Sequence, residues 1–409
     1  MSVAWNKGYD PDALAKHIES QIVSRSGGEL KFRGFGFHDD ISVLQSCLVF
    51  SETLPEVAKR EVITAALFAA AKRSALTARS ILAEVSRQER EYFKKSKQKF
   101  ILITSISDIP NGSFLRRRVG DAIVTFQKLT RLQLSQHEQI RKDSRSLFDS
   151  ELPRHYLPIR AEVSVRSKHE AWYAGLDAID LLRGIWNLHL NMRTYTRWSS
   201  GKRKPINEIQ LGPVHSLHIY SGRLATQGFW YEPNYRGPAN TLSQNRQDGK
   251  VAKFERQALN RLRSISYHQL LKDAIRRYVR ALDQHDYNAT IIQLWSVLES
   301  LTVTVTDSYK VTIRRAAMIH DDSNFHRQVL THLKDYRNNT IHAGAATEEN
   351  EVLVFQSKRY VESMILFHLN LGPSFESLDE CAEFLDLPAD IAKLRRRQGL
   401  LNRAIKFRS

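Results

Sequence analysis

Tyr287-Asn288-Ala289-Thr290-Ile291-Ile292-Gln293-Leu294-Trp295-Ser296-Val297-Leu298-Glu299-Ser300-Leu301 carries the pattern that decides the fold. Ile291, Leu294, Trp295, Leu298 and Leu301 fall at i, i+3, i+4, i+7 and i+10, which lays one buried stripe along an α-helix. Glu299 lies on the Trp295 side, so this spacing turns its carboxylate inward, where it needs a partner. Similar periodic segments surround it, at 267–281 before it and at 310–319, 325–341 and 348–371 after it, separated by short polar breaks. Residues 251–409 therefore read as an all-α helical bundle.

Upstream the pattern is mixed. From Pro55, Ala- and Leu-rich sequence predicts one or two long helices over 55–92, ending at the basic cluster Lys94-Lys95-Ser96-Lys97. Phe100 to Ile106 is a β-rich run stopped by Pro110-Asn111-Gly112, and 122–126 reads as a second strand. Residues 129–148 turn helical and charged, and Glu162-Val163-Ser164-Val165-Arg166 alternates like a half-exposed strand. Trp172, Leu176, Ile179, Leu182, Ile185, Trp186 and Leu190 give a broad apolar helical face, and 214–220 is a further short strand. The first 40 residues, polar and bearing Gly27, Gly28, Gly34 and Gly36, read as a loosely structured lead-in. Pro233, Gly237, Pro238, Asn240, Ser243, Asn245 and Gly249 crowd together over 232–253 as a linker. The fold class is thus α+β: a mixed α/β region, 1–250, with no βαβ repeat and no fold named by its pattern, followed by the helical domain, 251–409.

Composition narrows the function. The chain has 409 residues, with 61 Lys+Arg against 44 Asp+Glu, a net charge of +17, which fits a polyanionic partner or simply a basic surface. The longest apolar run, 65–71, falls far short of the roughly 20 residues that span a bilayer, so no membrane is expected. Cys47 and Cys381 stand far apart without a CxxC partner, which argues against a disulfide scaffold or a thiolate metal site and suits a reducing cytoplasm. The N-terminus lacks the apolar core of a secretory signal, in keeping with a cytoplasmic location. P-loop, HExxH, GxSxG and kinase signatures are missing from the sequence, and no motif supports a small-molecule enzyme in the first 250 residues.

Within the 325–341 helical segment and just beyond it stands Asp335-Tyr336-Arg337-Asn338-Asn339-Thr340-Ile341-His342-Ala343-Gly344. This stretch resembles the Arg-x(4–6)-His signature of HEPN domains, in the form with Asn directly after the Arg. The surrounding bundle, the Trp295 helix upstream and the long helix downstream strengthen the likeness. Within the family the chain is most similar to the Apea-like branch, in which a mixed α/β region precedes the bundle. The resemblance is specific over roughly 270–371 and only suggestive upstream.

The resemblance implies metal-independent cleavage of RNA through the ribose 2′-OH, with no metal and no cofactor. Histidine titrates in the range needed to take or give that proton, and a guanidinium supplies a fixed positive fork for the phosphate oxygens. His342 and Arg337 fit those roles. Asn338, at i, i+4 from His342, is placed to hold the imidazole or a phosphate oxygen. Glu299 is a candidate for orienting Arg337. On a regular helix five residues turn through about 500°, leaving Arg337 and His342 roughly 140° apart. They converge only if the turn is distorted or if two chains share the site. HEPN domains typically dimerise with their motifs facing, so a homodimer with a two-chain cleft is expected. The family also implies anti-phage defence or toxin-like growth restriction, with a regulatory partner or phage-derived trigger acting through the first 250 residues. Some HEPN toxins carry a tyrosine two places after the His; Gly344 stands there, which excludes control by tyrosine modification at that position.

Two other readings of the same residues stay open. Arg337 can pair with Glu299 or Asp335 as a structural ion pair, with His342 merely preceding the Gly344 helix stop. The bundle can also serve a non-catalytic RNA- or protein-binding regulator.

Arg33-Gly34-Phe35-Gly36-Phe37 copies the start of an RNA-recognition RNP1 motif but does not continue it, and reads as a Gly-Phe turn. His215 and His218 would point to opposite faces of a strand and read as ordinary strand histidines. Arg116-Arg117-Arg118 reads as a solvated triplet. Residues 391–409 hold Lys393, Arg395, Arg396, Arg397, Arg403, Lys406 and Arg408 and no acid. Leu394, Leu400, Leu401 and Ile405 give that stretch an apolar side. It is expected to dock as a helix and turn Arg395, Arg396, Arg397 and Arg403 outward as nucleic-acid-binding residues.

Overall fold

A computed structural model describes residues 3–26, 29–34, 36–50, 54–110, 116–126, 128–148, 151–192, 205–232, 235, 249–303, 308–343 and 350–408. Its first stretch runs β1 (Ala4–Trp5), α1 (Pro11–Ser20), β2 (Ile22–Ser26), β3 (Glu29–Phe32), α2 (Phe37–Cys47) and β4 (Leu48–Val49). This overturns the expected loose lead-in. The signal was local and short: the Asp10 carboxylate caps the backbone N–H of Asp12 and Ala13, and Pro11 follows at the first helical position. β1 is secured at long range, by antiparallel pairing with β4. Gly34 takes φ +69 in the turn between β3 and α2, where the Gly-Phe turn was expected; Phe35 lies outside the described residues.

The 55–92 segment divides into α3 (Glu56–Arg73) and α4 (Ala78–Lys94). Thr77 and Ser80 form a capping box that restarts the chain as α4. Ile18, Ile41 and Leu44 from the opening stretch join Val62, Leu67, Ile81 and Val85 in one buried apolar cluster.

Then come β5 (Gln98–Ile106), β6 (Arg116–Val119), β7 (Ala122–Phe126), α5 (Arg131–Asp143), β8 (Leu157–Val165), α6 (Lys168–Asn191), β9 (Val214–Ile219) and β10 (Trp230–Tyr231). The last six strands form one sheet in the order β10-β9-β5-β8-β7-β6. β5 lies inside this order, which is why Phe100, Ile101, Leu102 and Ile103 are buried consecutively. β6 and β7 make an antiparallel hairpin turned at Gly120, φ +58. Its edge strand carries Arg116, Arg117 and Arg118. Arg116 and Arg118 are exposed, but Arg117 pairs with the buried Glu255 carboxylate, so the triplet is only partly the solvated surface expected.

The helical region follows as α7 (Lys250–Ser264), α8 (His268–Leu282), α9 (Tyr287–Leu301), α10 (Tyr309–Met318), α11 (Ser323–Ala343), α12 (Asn350–Leu371), α13 (Leu378–Leu385) and α14 (Ile391–Arg408). The chain is therefore a mixed α+β protein with a helical C-terminal region. α9 packs against α8 and α12, burying Ile291, Leu294, Trp295, Leu298 and Leu301 as their spacing predicts. Most of the 232–253 linker lies outside the described residues; Gly249, φ +66, leads into α7.

Two compact units partition the chain: residues 1–102, 161–176 and 217–228 form one, and residues 103–160, 177–216 and 229–409 the other. Four of their five boundaries fall within β5, β8, α6 and β9 and the fifth just before β10, and none coincides with residue 250. In the second unit, Arg183 of α6 binds Asp283 through Nη1–Oδ1 at 2.9 Å and Nη2–Oδ2 at 2.6 Å, and Asp180 through Nη2–Oδ1 at 2.7 Å. Burial pushes the Asp180 carboxyl up, but Arg183 and Arg280 more than offset it and hold it below the usual carboxylate range. No described helix is long and apolar enough to cross a membrane.

Candidate active site

α11 runs unbroken from Ser323 to Ala343, carrying Arg337 and Asn338 and, in its last turn, the backbone of His342. The continuous helix removes the distorted-turn route to convergence: Arg337 and His342 stay roughly 140° apart around the axis. The His342 side chain and Gly344 lie outside the described residues.

Arg337 is half-buried and is held by neutral groups. Its Nη1 donates to Tyr309 Oη at 2.8 Å and to Asn338 Oδ1 at 3.0 Å. The guanidinium carbon also lies 5.4 Å from the centre of the Tyr309 ring, a cation–π distance. Tyr309 is the first residue of α10 and is 37% exposed, so this support sits at the bundle surface. Behind it, the Tyr309 ring meets the buried Trp295 edge-on with centroids 6.4 Å apart. Trp295 Nε1 in turn donates to Glu299 Oε1 at 2.8 Å. Nearby, Tyr336 Oη donates to Asn288 Oδ1 at 3.1 Å, tying α11 to the first turn of α9.

Among the described residues no carboxylate pairs with Arg337. Asp335 pairs instead with Lys334, at 2.7 Å. The ion pair of Arg337 with Glu299 or Asp335 is thus not formed, and among the described residues Glu299 connects to Arg337 through the Trp295–Tyr309 ring pair. Arg337 Nε is buried without a hydrogen-bond partner among the described residues. The charge of the guanidinium is therefore not cancelled by any described carboxylate, a state suited to an anion. Asn338 spends its side-chain oxygen on Arg337, which makes it first a holder of the guanidinium.

The sequence pattern does not mark Tyr309 or Trp295 as site residues. Trp295 read as core, which it is, and Tyr309 joins Arg337 across 28 positions of sequence that no local period links.

The basic candidates Arg395, Arg396, Arg397 and Arg403 are all exposed on α14. The expected docking of that helix does not occur: α14 has no buried residue, and Leu400, Leu401 and Ile405 are half to two-thirds exposed. Guanidinium groups flank its narrow apolar stripe, and burying that stripe in the core would desolvate them.

His215 and His218 are ordinary strand residues. His215 bridges Thr104 Oγ1 at 2.7 Å and Glu232 Oε1 at 3.0 Å, and His218 Nδ1 meets the Gly222 carbonyl at 3.0 Å. Both cysteines are free and buried. Among the described residues, no group of three or more His, Cys, Asp or Glu side chains is placed to hold a metal ion. No protein-family model, curated protein or solved structure matches the chain.

Proposed function

We propose that this chain is a metal-independent endoribonuclease of the HEPN type. Arg337 and His342 act in a cleft shared by two copies, and the activity serves anti-phage defence or toxin-like restriction of growth. The observation that carries the reading is the state of Arg337: a guanidinium at the bundle surface, fixed by Tyr309 and Asn338, with no described carboxylate neutralising it. A structural arginine is normally paired; one held by neutral groups is suited to an anionic ligand.

In this reading a phosphodiester lies against Arg337. One His342 imidazole takes the proton of the ribose 2′-OH, whose oxygen attacks phosphorus. The bond to the 5′-oxygen breaks as that oxygen takes a proton from the second His342, leaving a 2′,3′-cyclic phosphate and a 5′-hydroxyl end. Arg337 holds the charge that builds on the non-bridging oxygens. The two-chain cleft answers the wide angle between Arg337 and His342 on an unbroken α11. Arg395, Arg396, Arg397 and Arg403 on α14 add salt-dependent attraction to the RNA backbone.

The test is end-group analysis of RNA incubated with purified chain in excess chelator. Fragments with 2′,3′-cyclic phosphate and 5′-hydroxyl ends support the reading. Cleavage that stops with chelator, or leaves 5′-phosphate ends, contradicts it. A tight RNA complex with no cleavage would favour a binding regulator instead.

A further inference from the structure

We infer that α14 is one half of a two-helix coiled coil whose other half is an acidic amphipathic helix of a partner protein. Ile391, Leu394, Gln398, Leu401 and Ile405 recur at steps of three, four, three and four, the a/d spacing of a heptad seam. The first four of them, with Arg395, Arg397 and, from the chain between α13 and α14, Leu387, line an open groove of about 320 Å³. The helix is firmly started for such a role. Asp390 caps it through Oδ1 on the Lys393 N–H at 2.9 Å, and Pro388 precedes the cap.

Nothing in the described fold covers this face. No α14 residue is buried, Ile391 and Ile405 are each 67% exposed, and Leu401 is 64% exposed. The lone polar seam residue, Gln398, is the kind of a-position group that fixes register at some cost in stability.

Charge selects the occupant. Arg395 and Arg397 occupy the e and g positions beside the seam, and the 391–408 helix carries seven basic residues and no acidic one. Two copies side by side would set seven positive charges against seven. A helix with Glu at its own e and g positions would pair with Arg395 and Arg397 and neutralise the field. A lipid surface fits less well: Leu400 and Phe407 project from the side opposite the seam, so the apolar and basic residues do not separate into two broad faces.

The test uses the full chain and three labelled synthetic peptides of about four heptads. One has Leu at a and d and Glu at e and g, the second has Lys at e and g, and the third is the acidic peptide with its sequence shuffled. The acidic heptad peptide is expected to bind at least about tenfold tighter than either control. The Leu394→Glu/Leu401→Glu chain, altered only outside the core, is expected to lose that preference while keeping its circular dichroism and melting temperature. Equal binding of the heptad and shuffled acidic peptides would reduce the effect to charge and overturn the seam. So would failure of the acidic heptad to bind. Self-association of the wild type that Leu394→Glu/Leu401→Glu abolishes would hand the face to a second copy. Binding to phosphatidylserine vesicles that the same pair abolishes would reassign it to a lipid surface.

Discussion

Tyr309 Oη accepts a hydrogen bond from Arg337 Nη1 at 2.8 Å while its ring lies 5.4 Å from the same guanidinium. One side chain thus fixes both the direction and the plane of the arginine without cancelling its charge. The two contributions can be separated. Tyr309→Phe keeps the ring and loses the acceptor, worth about 1.5–3 kcal/mol for a hydrogen bond to a charged group. RNA cleavage should fall about tenfold in this variant and further in Tyr309→Ala. Because Tyr309 is 37% exposed, the melting temperature should hardly move. Cleavage rates alongside thermal melts check this; unchanged cleavage in Tyr309→Ala would remove Tyr309 from the site.

Gly184 lets α6 and α8 touch. A Cβ there would stand 2.6 Å from Ile275 Cγ2 and 2.9 Å from the Ile275 carbonyl oxygen. The side-chain methyl can retreat, but the backbone oxygen cannot do so cheaply. Gly184→Ala should therefore destabilise the chain by about 1–3 kcal/mol, the usual cost of overpacking. Denaturant titration of Gly184→Ala checks this, and Gly184→Ala/Ile275→Val should recover only part of the loss.

Arg183 neutralises Asp180 and Asp283 where all three are largely shielded from water. Arg183→Met leaves two carboxylates facing each other with only Arg280 beside Asp180. Removing one partner of such a buried network costs about 3–5 kcal/mol. The variant should melt well below wild type or fail to accumulate. A loss under about 1 kcal/mol would mean that water already screens the cluster.

His368 gives the fold an acid limb. Burial lowers its pKa to about 4, although the bond from Nε2 to the Leu301 carbonyl, 2.8 Å, favours the charged ring. The ordinary value is 6.5, so between pH 6.5 and 4 the unfolded chain binds a proton that the folded chain refuses. Stability contributed by the neutral ring is full above pH 6.5, declines as pH falls, and levels off below about 4. The whole step is on the order of 3 kcal/mol. His368→Gln should make this part of the stability profile shallower, with His320, which burial also lowers to about 4, keeping part of the slope; an unchanged slope would place the proton uptake elsewhere.

The bundle was legible because helices such as α8 and α9 bury a continuous stripe. Ile291, Leu294, Trp295, Leu298 and Leu301 announce α9 without reference to any other residue. The opening stretch was not, because β1 is only two residues long and is held by β4, far along the chain. Arg337 and Asn338 were legible from the spacing of one motif. Tyr309 was not, since its role rests on a meeting of α10 with α11 that no period encodes. For α14 the helix was legible but its docking was not: the apolar stripe is real, yet Arg395 and Arg397 beside it keep the helix out of the core.

Cleavage of RNA by Arg337 and His342 is tested most directly by RNA integrity in cells after matched induction of wild type, Arg337→Ala and His342→Ala, with and without phage challenge. Fragmented RNA is expected with wild type and intact RNA with both variants, all three chains accumulating equally. Fragmentation that persists in both variants, or intact RNA with wild type even under challenge, would contradict it.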